Sequence, residues 1–183
     1  MRKHNLSFSC IMDLKEKIRT IPDFPQPGIL FRDITTLLSD AEAFNETIER
    51  FAKHFKDEKI DVVAGVESRG FIIGAPLAIK MGLGFIPIRK AGKLPGPTHG
   101  VDYDLEYGKD RVEVHQDAIK KGNRVLMVDD LIATGGTIQA SAKLVKKIGA
   151  VIAGYAFVIE LIDLKGKDLL EEPVFSLIEF EGH

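Results

Sequence analysis

Two adjacent carboxylates, Asp129 and Asp130, end an apolar run in the stretch VLMVDDLIATGGT, Val125–Thr137. Ala133, Thr134, Gly135, Gly136 and Thr137 follow, with two glycines between two threonines, before helical periodicity resumes. The first amides of a helix have no intrahelical partner and carry partial positive charge. Glycine lets such amides approach an anion closely, and two hydroxyls add donors, so a phosphate group suits this turn. The carboxylates repel a phosphate and must face a cation or the hydroxyls of a sugar, for which they are good acceptors. A diol beside a monophosphate is what a ribose 5-phosphate presents. The turn has neither the lysine nor the G-x-x-x-x-G-K-[ST] spacing of nucleoside-triphosphate loops, and it lacks the G-x-G-x-x-G of dinucleotide sites. A helix cap alone would need one hydroxyl, not the entire turn.

Positioning these groups requires a strand that ends at the aspartates and a helix that begins at the threonines. Val125–Val128 supplies the strand and Thr137–Ile148 the helix. Ile60–Val66 is a second β-branched run with few polar residues, as expected of a strand buried on both faces. It passes through Glu67, Ser68, Arg69 and Gly70 into a helical stretch, Phe71–Met81. A short strand, GFIPI, comes next, and Pro87 argues for a place near a sheet edge or strand end. Arg89, Lys90 and Lys93 lie beyond it; by residue type alone they are equally a solvated basic cluster. Ala91–Gly100, rich in Gly and Pro, is expected to be a mobile loop. Val101–Gln116 shows partial alternation and suits an antiparallel excursion. Val151–Leu161 is a further strand, and Leu164–Phe180 a short helix with a final strand.

At the other end, Leu14–Ile21 is expected to be a short helix stopped near Pro22, followed by an ordered but non-helical Pro-rich segment. Ser39 or Asp40 can cap the next helix, in which Phe44, Ile48, Phe51 and Phe55 form one apolar stripe. Strands alternating with helices point to an α/β protein with a parallel sheet. Residues 12–183 suit one domain, with an N-terminal segment folding over its top; residues 1–11 read as a flexible tail, with Met12 a plausible second start.

The 183 residues are 45% hydrophobic and 28% charged, as in an ordinary globular protein. Lys and Arg total 25 against 27 Asp and Glu, a balance that argues against a nucleic-acid partner. No apolar segment is long enough to span a bilayer, so no membrane partner is expected. Cys10 is the single cysteine, which excludes an intramolecular disulfide and favours a cytoplasmic setting. His4, His54, His99, His115 and His183 show no metal-ligand spacing.

The apolar run, tandem acids and T-G-G-T together resemble the phosphoribosyl-diphosphate motif of type I phosphoribosyltransferases. FPQPGILFRDIT, GVESRGFIIGAPLA, PIRKAGKLPGPT and LEYG are similar, in order and spacing, to the adenine-using branch of that family, from about Ile18 to Leu161. The resemblance implies the type I fold with an N-terminal hood and a lid hairpin. It also implies the conversion of adenine and 5-phosphoribosyl 1-diphosphate into AMP and pyrophosphate, substrate-bound Mg²⁺ and a homodimer. Asp129 and Asp130 are then expected on the ribose hydroxyls, and Ala133–Thr137 on the 5′-phosphate. Glu67, Ser68, Arg69, Arg89 and Lys90 fall to the diphosphate, with a cis peptide between Glu67 and Ser68. Glu106 matches the proposed acid/base group near the purine nitrogens, while Lys93 and Tyr107 belong to the lid. Leu30 and Arg32 lie at backbone positions that meet adenine, and Leu131 and Leu161 are candidates for walls on the purine faces or for core residues. No residue is assigned as a metal ligand. Other purine bases in the same reaction, or a ligand sensor on the same fold, remain competing readings.

Overall fold

The computed structural model describes residues 12–104 and 108–182. Seven strands form one sheet in the order β5-β6-β4-β3-β7-β8-β9. The parallel portion comprises β3 (Val62–Val66), β4 (Gly84–Lys90), β7 (Arg124–Ile132), β8 (Val151–Leu161) and β9 (Val174–Phe180). Helices α1 (Thr35–Ser39), α2 (Ala41–His54), α3 (Arg69–Met81) and α4 (Gly136–Lys147), a ribbon of β1 (Arg19–Pro22) and β2 (Leu30–Asp33) and a hairpin of β5 (Thr98–Asp104) and β6 (Lys109–His115) accompany these strands among the described residues.

The period of two along β7 explains why Val125–Val128 is apolar throughout. Leu126 and Val128 enter one core with Phe51 of α2 and Ile73 and Leu77 of α3. Val125 and Met127 enter a second core with Ile138, Leu144 and Val145 of α4. Both faces of the sheet are therefore covered, and all five residues of β3 are buried. Truncating Leu126, which is fully buried, to Ala would cost about 2–5 kcal/mol. Asp40 caps α2 by accepting from the amides of Glu42 (3.0 Å) and Ala43 (3.1 Å). Ile48, Phe51 and Phe55 of the expected stripe are buried, with Phe44 packed at their margin.

Four segments differ from their sequence expectations. Leu14–Lys17 makes only one 3-10 turn, and β1 (Arg19–Pro22) pairs antiparallel with β2 (Leu30–Asp33). The β-branched Thr20 and Ile21 lie opposite Arg32 and Phe31 there, while Arg19 donates to Asp33, so cross-strand contacts override helical spacing. Strand β4 is longer than GFIPI and third in sheet order. Its registered pairs with β6 are nonetheless Arg89–Glu113 and Lys90–Val112, so Pro87 lies where that side of the strand is unpaired. The Pro/Gly-rich loop is shortened because β5 begins at Thr98; β5 (Thr98–Asp104) and β6 (Lys109–His115) form the antiparallel excursion. Near the C-terminus, 3-10 turns at Ile162–Leu164 and Gly166–Leu169 stand where a helix was expected before β9.

The N-terminal segment does fold over the sheet. Leu14, Ile18 and Ile34 join the core that contains Val128, Ala156 and Leu161. Asp33 fixes the ribbon: it accepts from the Thr35 amide (2.9 Å), the Thr35 hydroxyl (2.8 Å) and Arg19 Nε (3.0 Å). The Thr35 amide and Arg19 together hold its carboxyl down at about 2.

Candidate active site

A cleft of about 540 Å³ opens at the carboxyl ends of β3 and β7. Glu67–Arg69, Lys90 and the continuous run Asp129–Ile138 line it. Open parallel sheets gather their ligands at this end. Strand β7 extends to Ile132, so the two aspartates stand within its last turn of pleat rather than beyond it.

The aspartates are held differently. Asp129 Oδ1 accepts from the Asp130 amide at 2.9 Å. Asp130 is buried, and its Oδ2 lies 2.8 Å from Arg69 Nε in an ion pair. The guanidinium N–H is not aligned with that oxygen, which therefore receives no hydrogen bond while closed to solvent. Burial, followed by the neighbouring charge of Asp130, pushes the Asp129 carboxyl well above the usual carboxylate range. Burial also raises Asp130, against the pull of Arg69. Acceptor capacity that no hydrogen bond from the described residues meets thus sits beside the Arg69 charge. Helix α3 comes this close to β7 because residue 70 is glycine: a Cβ there would stand 2.8 Å from the Val128 carbonyl and 2.9 Å from Asp129 Oδ1. The Arg69 guanidinium is also 5.5 Å from the centre of the Phe31 ring, which brings the N-terminal ribbon over the cleft.

The turn after β7 is built from backbone. Gly135 adopts φ +81° and caps α4, and its carbonyl accepts from the Gln139 amide at 2.9 Å. The amides of Gly136, Thr137 and Ile138 donate to no acceptor among the described residues, leaving three donors at the helix entrance. Opposite the turn lies Gly166, whose amide donates to the Ala133 carbonyl at 3.1 Å. A Cβ on Gly135 would come within 2.6 Å of the Gly166 carbonyl, and one on Gly166 would overlap the Ala133 carbonyl. Two strips of bare backbone therefore pack directly together. Nothing in the sequence near residues 133–137 signals Gly166; its role comes from a contact across the chain.

The turn after β3 uses side chains instead. Glu67 accepts from Arg89 Nε (2.9 Å), the Lys90 amide (3.2 Å) and the Lys93 ammonium. Burial pushes the Glu67 carboxyl up, but donation from Lys93, Arg89 and the Lys90 amide outweighs it and leaves the group below its ordinary value. Lys90 turns to Asp110, with Nζ 2.8 Å from Oδ2. Of the three expected cations, Lys90 lines the cleft, whereas Arg89 and Lys93 are gathered on Glu67 at its margin. The peptide between Glu67 and Ser68 is cis. Sequence reading missed Asp110 and Tyr103, whose partners become apparent only when the β5–β6 hairpin meets β4 and α4.

Residues 35–179 match the phosphoribosyl transferase domain. An adenine phosphoribosyltransferase of Clostridium beijerinckii is 57% identical over 171 residues, covering 93% of this chain and 99% of that protein. The chain belongs to the adenine phosphoribosyltransferases. The crystal structure of the Thermoanaerobacter pseudethanolicus family member is 51% identical, with a TM-score of 0.89, covering 93% of this chain and 99% of that one. The Saccharomyces cerevisiae member, complexed with adenine and an imino-altritol bisphosphate, is 43% identical with a TM-score of 0.86 and covers 90% of this chain and 96% of its own.

Placed on this phosphoribosyltransferase fold, the remaining expected residues separate. Leu131 lines the cleft, whereas Leu30, Arg32 and Leu161 stand outside its lining. Leu161 is a buried core residue at the end of β8. Arg32 is buried in β2, donating to Thr20 Oγ1 at 2.7 Å and lying 4.2 Å over the Phe180 ring. Glu106 and Tyr107 fall outside the described residues.

Proposed function

We propose that the protein transfers the 5-phosphoribosyl group of 5-phosphoribosyl 1-diphosphate to adenine, giving AMP and pyrophosphate in purine salvage. The observation that carries this reading is one cleft in which an under-satisfied carboxylate pair adjoins a turn of unpaired amides. Those two chemistries match the vicinal hydroxyls and terminal phosphate of one sugar. The adenine bound by the Saccharomyces relative supports the choice of base.

In this proposal Asp129 and Asp130 accept from the ribose 2′- and 3′-hydroxyls. As the bond from the anomeric carbon to the diphosphate breaks, the ring gains oxocarbenium character, and the field of the two carboxylates favours that charge. Ala133–Thr137 hold the 5′-phosphate and fix the position of the anomeric carbon. Ser68, Arg69 and Lys90 face the departing diphosphate, with Arg89 and Lys93 available as Glu67 exchanges its partners. Glu106 receives the proton that the purine loses as its nitrogen attacks, and Tyr107 closes with the same segment. The backbone of Leu30 and Arg32 reads the base, with Leu131 on the apolar side of its site, while Leu161 keeps the core role that its burial gives it.

Among the described residues no cluster of three acidic, histidine or cysteine side chains could hold a metal by protein ligands alone. The paired aspartates at the cleft suit an ion held mostly by substrate and water; Mg²⁺ carried there with the diphosphate would lower the charge of the leaving group. Exposed apolar residues on α3, Ile72 and Ile79, support a homodimer. A cytoplasmic setting is part of the proposal, supported by the single cysteine. No described helix is long and apolar enough to cross a membrane.

Nucleotide formation from adenine, guanine, hypoxanthine and xanthine, each with and without Mg²⁺, tests the reading. AMP formed fastest and only with the metal is expected. Equal or faster turnover of a 6-oxopurine would remove the substrate assignment, and binding of phosphoribosyl diphosphate without turnover of any base would point to a sensor.

A further inference from the structure

The Arg32 guanidinium is buried, with the residue only 8% exposed, and it has no carboxylate partner among the described residues. A guanidinium taken out of water is costly unless its N–H groups and its planar faces are met by other partners. Here those partners come from two segments far apart in sequence. Within the ribbon, Nη1 donates to Thr20 Oγ1 at 2.7 Å. At the end of β9, Nη2 donates to the carbonyls of Glu181 (3.2 Å) and Gly182 (3.4 Å), and the guanidinium carbon lies 4.2 Å from the centre of the Phe180 ring. Nε has no acceptor.

The segment that Arg32 grasps is itself tied down. The Gly182 amide donates to Asp163 Oδ2 at 2.6 Å, and Lys15 Nζ donates to the Glu179 carbonyl at 2.6 Å. Strand periodicity puts the side chains of Leu30 and Arg32 on one face of β2, toward this segment, while Phe31 between them faces Arg69. A two-stranded ribbon has little stability of its own, so its place over the sheet follows from what it is docked to.

We propose that the Arg32 side chain is a positioning group for base recognition: by grasping the end of β9 it fixes the β2 backbone from which the base is read. The proposal rests on the assignment of the Leu30 and Arg32 backbone to adenine. The side chain itself stands outside the cleft lining with its donors turned to Thr20 and β9, so it acts on the base only through the strand that carries it.

The test compares the dissociation constants of AMP and ribose 5-phosphate, which differ only in the base, by calorimetry on the full-length protein. Wild type is expected to bind AMP more tightly, and the ratio reports what the base contributes. Arg32→Met keeps the stem and loses every donor; it should weaken AMP by roughly tenfold, the lower end for hydrogen bonds from a charged group, and leave ribose 5-phosphate unchanged. Phe180→Leu, on the other segment, removes the ring face and should weaken AMP by roughly two- to fivefold, again sparing ribose 5-phosphate. In the Arg32→Met background, Phe180→Leu should have no further effect. Three results would overturn the proposal: an undiminished AMP preference in Arg32→Met, equal losses for the two ligands, or additive losses in the double variant. If Arg32→Met does not fold, Phe180→Leu alone decides, and an unchanged ratio there sinks the idea. A wild type that binds AMP no more tightly than ribose 5-phosphate would instead remove the base assignment, and the role of Arg32 with it.

Discussion

The turns after β3 and β7 leave neighbouring parallel strands at the same end of the sheet, and each runs into a helix. They nevertheless prepare for anions by different means. After β7 the donors are main-chain amides, fixed by a left-handed glycine and a second strip of backbone at Gly166. After β3 the donors are long side chains drawn from β4 and the loop beyond it, and Glu67 holds them. A backbone site is set when the chain folds and has little freedom to re-partner. A side-chain site can exchange one carboxylate for a diphosphate and back, which suits a group that must leave.

The largest expected effect concerns the carboxylates that stand between the two turns. Asp129→Asn with Asp130→Asn should reduce kcat by at least roughly 10²–10³-fold while the protein still folds. Both carboxyls are raised in the folded state, chiefly by burial, so the native protein binds more protons than the unfolded chain in the interval above the ordinary carboxylate value. Their contribution to stability must therefore fall as pH rises through that interval. Denaturant unfolding across pH should show this slope in the wild type and lose it in the double variant, whose neutral-pH stability should equal or exceed that of the wild type.

Separating the two turns needs ligands that engage one and not the other. Arg89→Ala should weaken phosphoribosyl diphosphate and pyrophosphate by roughly ten- to a hundredfold, the range for a hydrogen bond to a charged group, and leave AMP nearly unaffected. Equal losses for AMP and pyrophosphate, measured by titration, would erase the division drawn here. Gly166→Ala should act in the reverse sense. Its Cβ overlaps the Ala133 carbonyl, so the turn must shift, at a cost of about 1–3 kcal/mol in unfolding free energy. AMP binding should weaken more than pyrophosphate binding.

The smallest effect lies in the N-terminal ribbon. Asp33 is lowered to about 2, first by the Thr35 amide and then by Arg19. A lowered carboxyl stabilises the fold above its unfolded value and loses that contribution as pH falls toward about 2. Asp33→Asn should flatten the acid limb of the stability profile, with little change in kcat at neutral pH.

The same contrast decides what could be read in the sequence. The backbone turn was legible because its parts are contiguous: an apolar strand, two acids, two glycines between threonines, then a helix. The fold was legible for a related reason, since strands buried on both faces are largely apolar, as Val62–Val66 is and, Glu160 apart, Val151–Leu161 is too. The helix expected at Leu14–Ile21 failed where pairing with Leu30–Asp33, a partner beyond the Pro-rich segment, outweighed local spacing. Gly166 and Asp110 were invisible for the same cause: each matters through a neighbour distant in sequence. Arg89 and Lys93 could be named from their types, but their convergence on Glu67 required the parallel register of β3 and β4.

Strand β6 is pinned to β4 at Arg89 and Lys90, with the Ala91 amide adding a bond to the Arg111 carbonyl at 3.0 Å. The residues that tether the hairpin to the sheet thus also carry two of the cations proposed above to meet the diphosphate. On the proposed reading, any tilt of that appendage would drag those charges along, so the hairpin's position and the grip on the leaving group would change together.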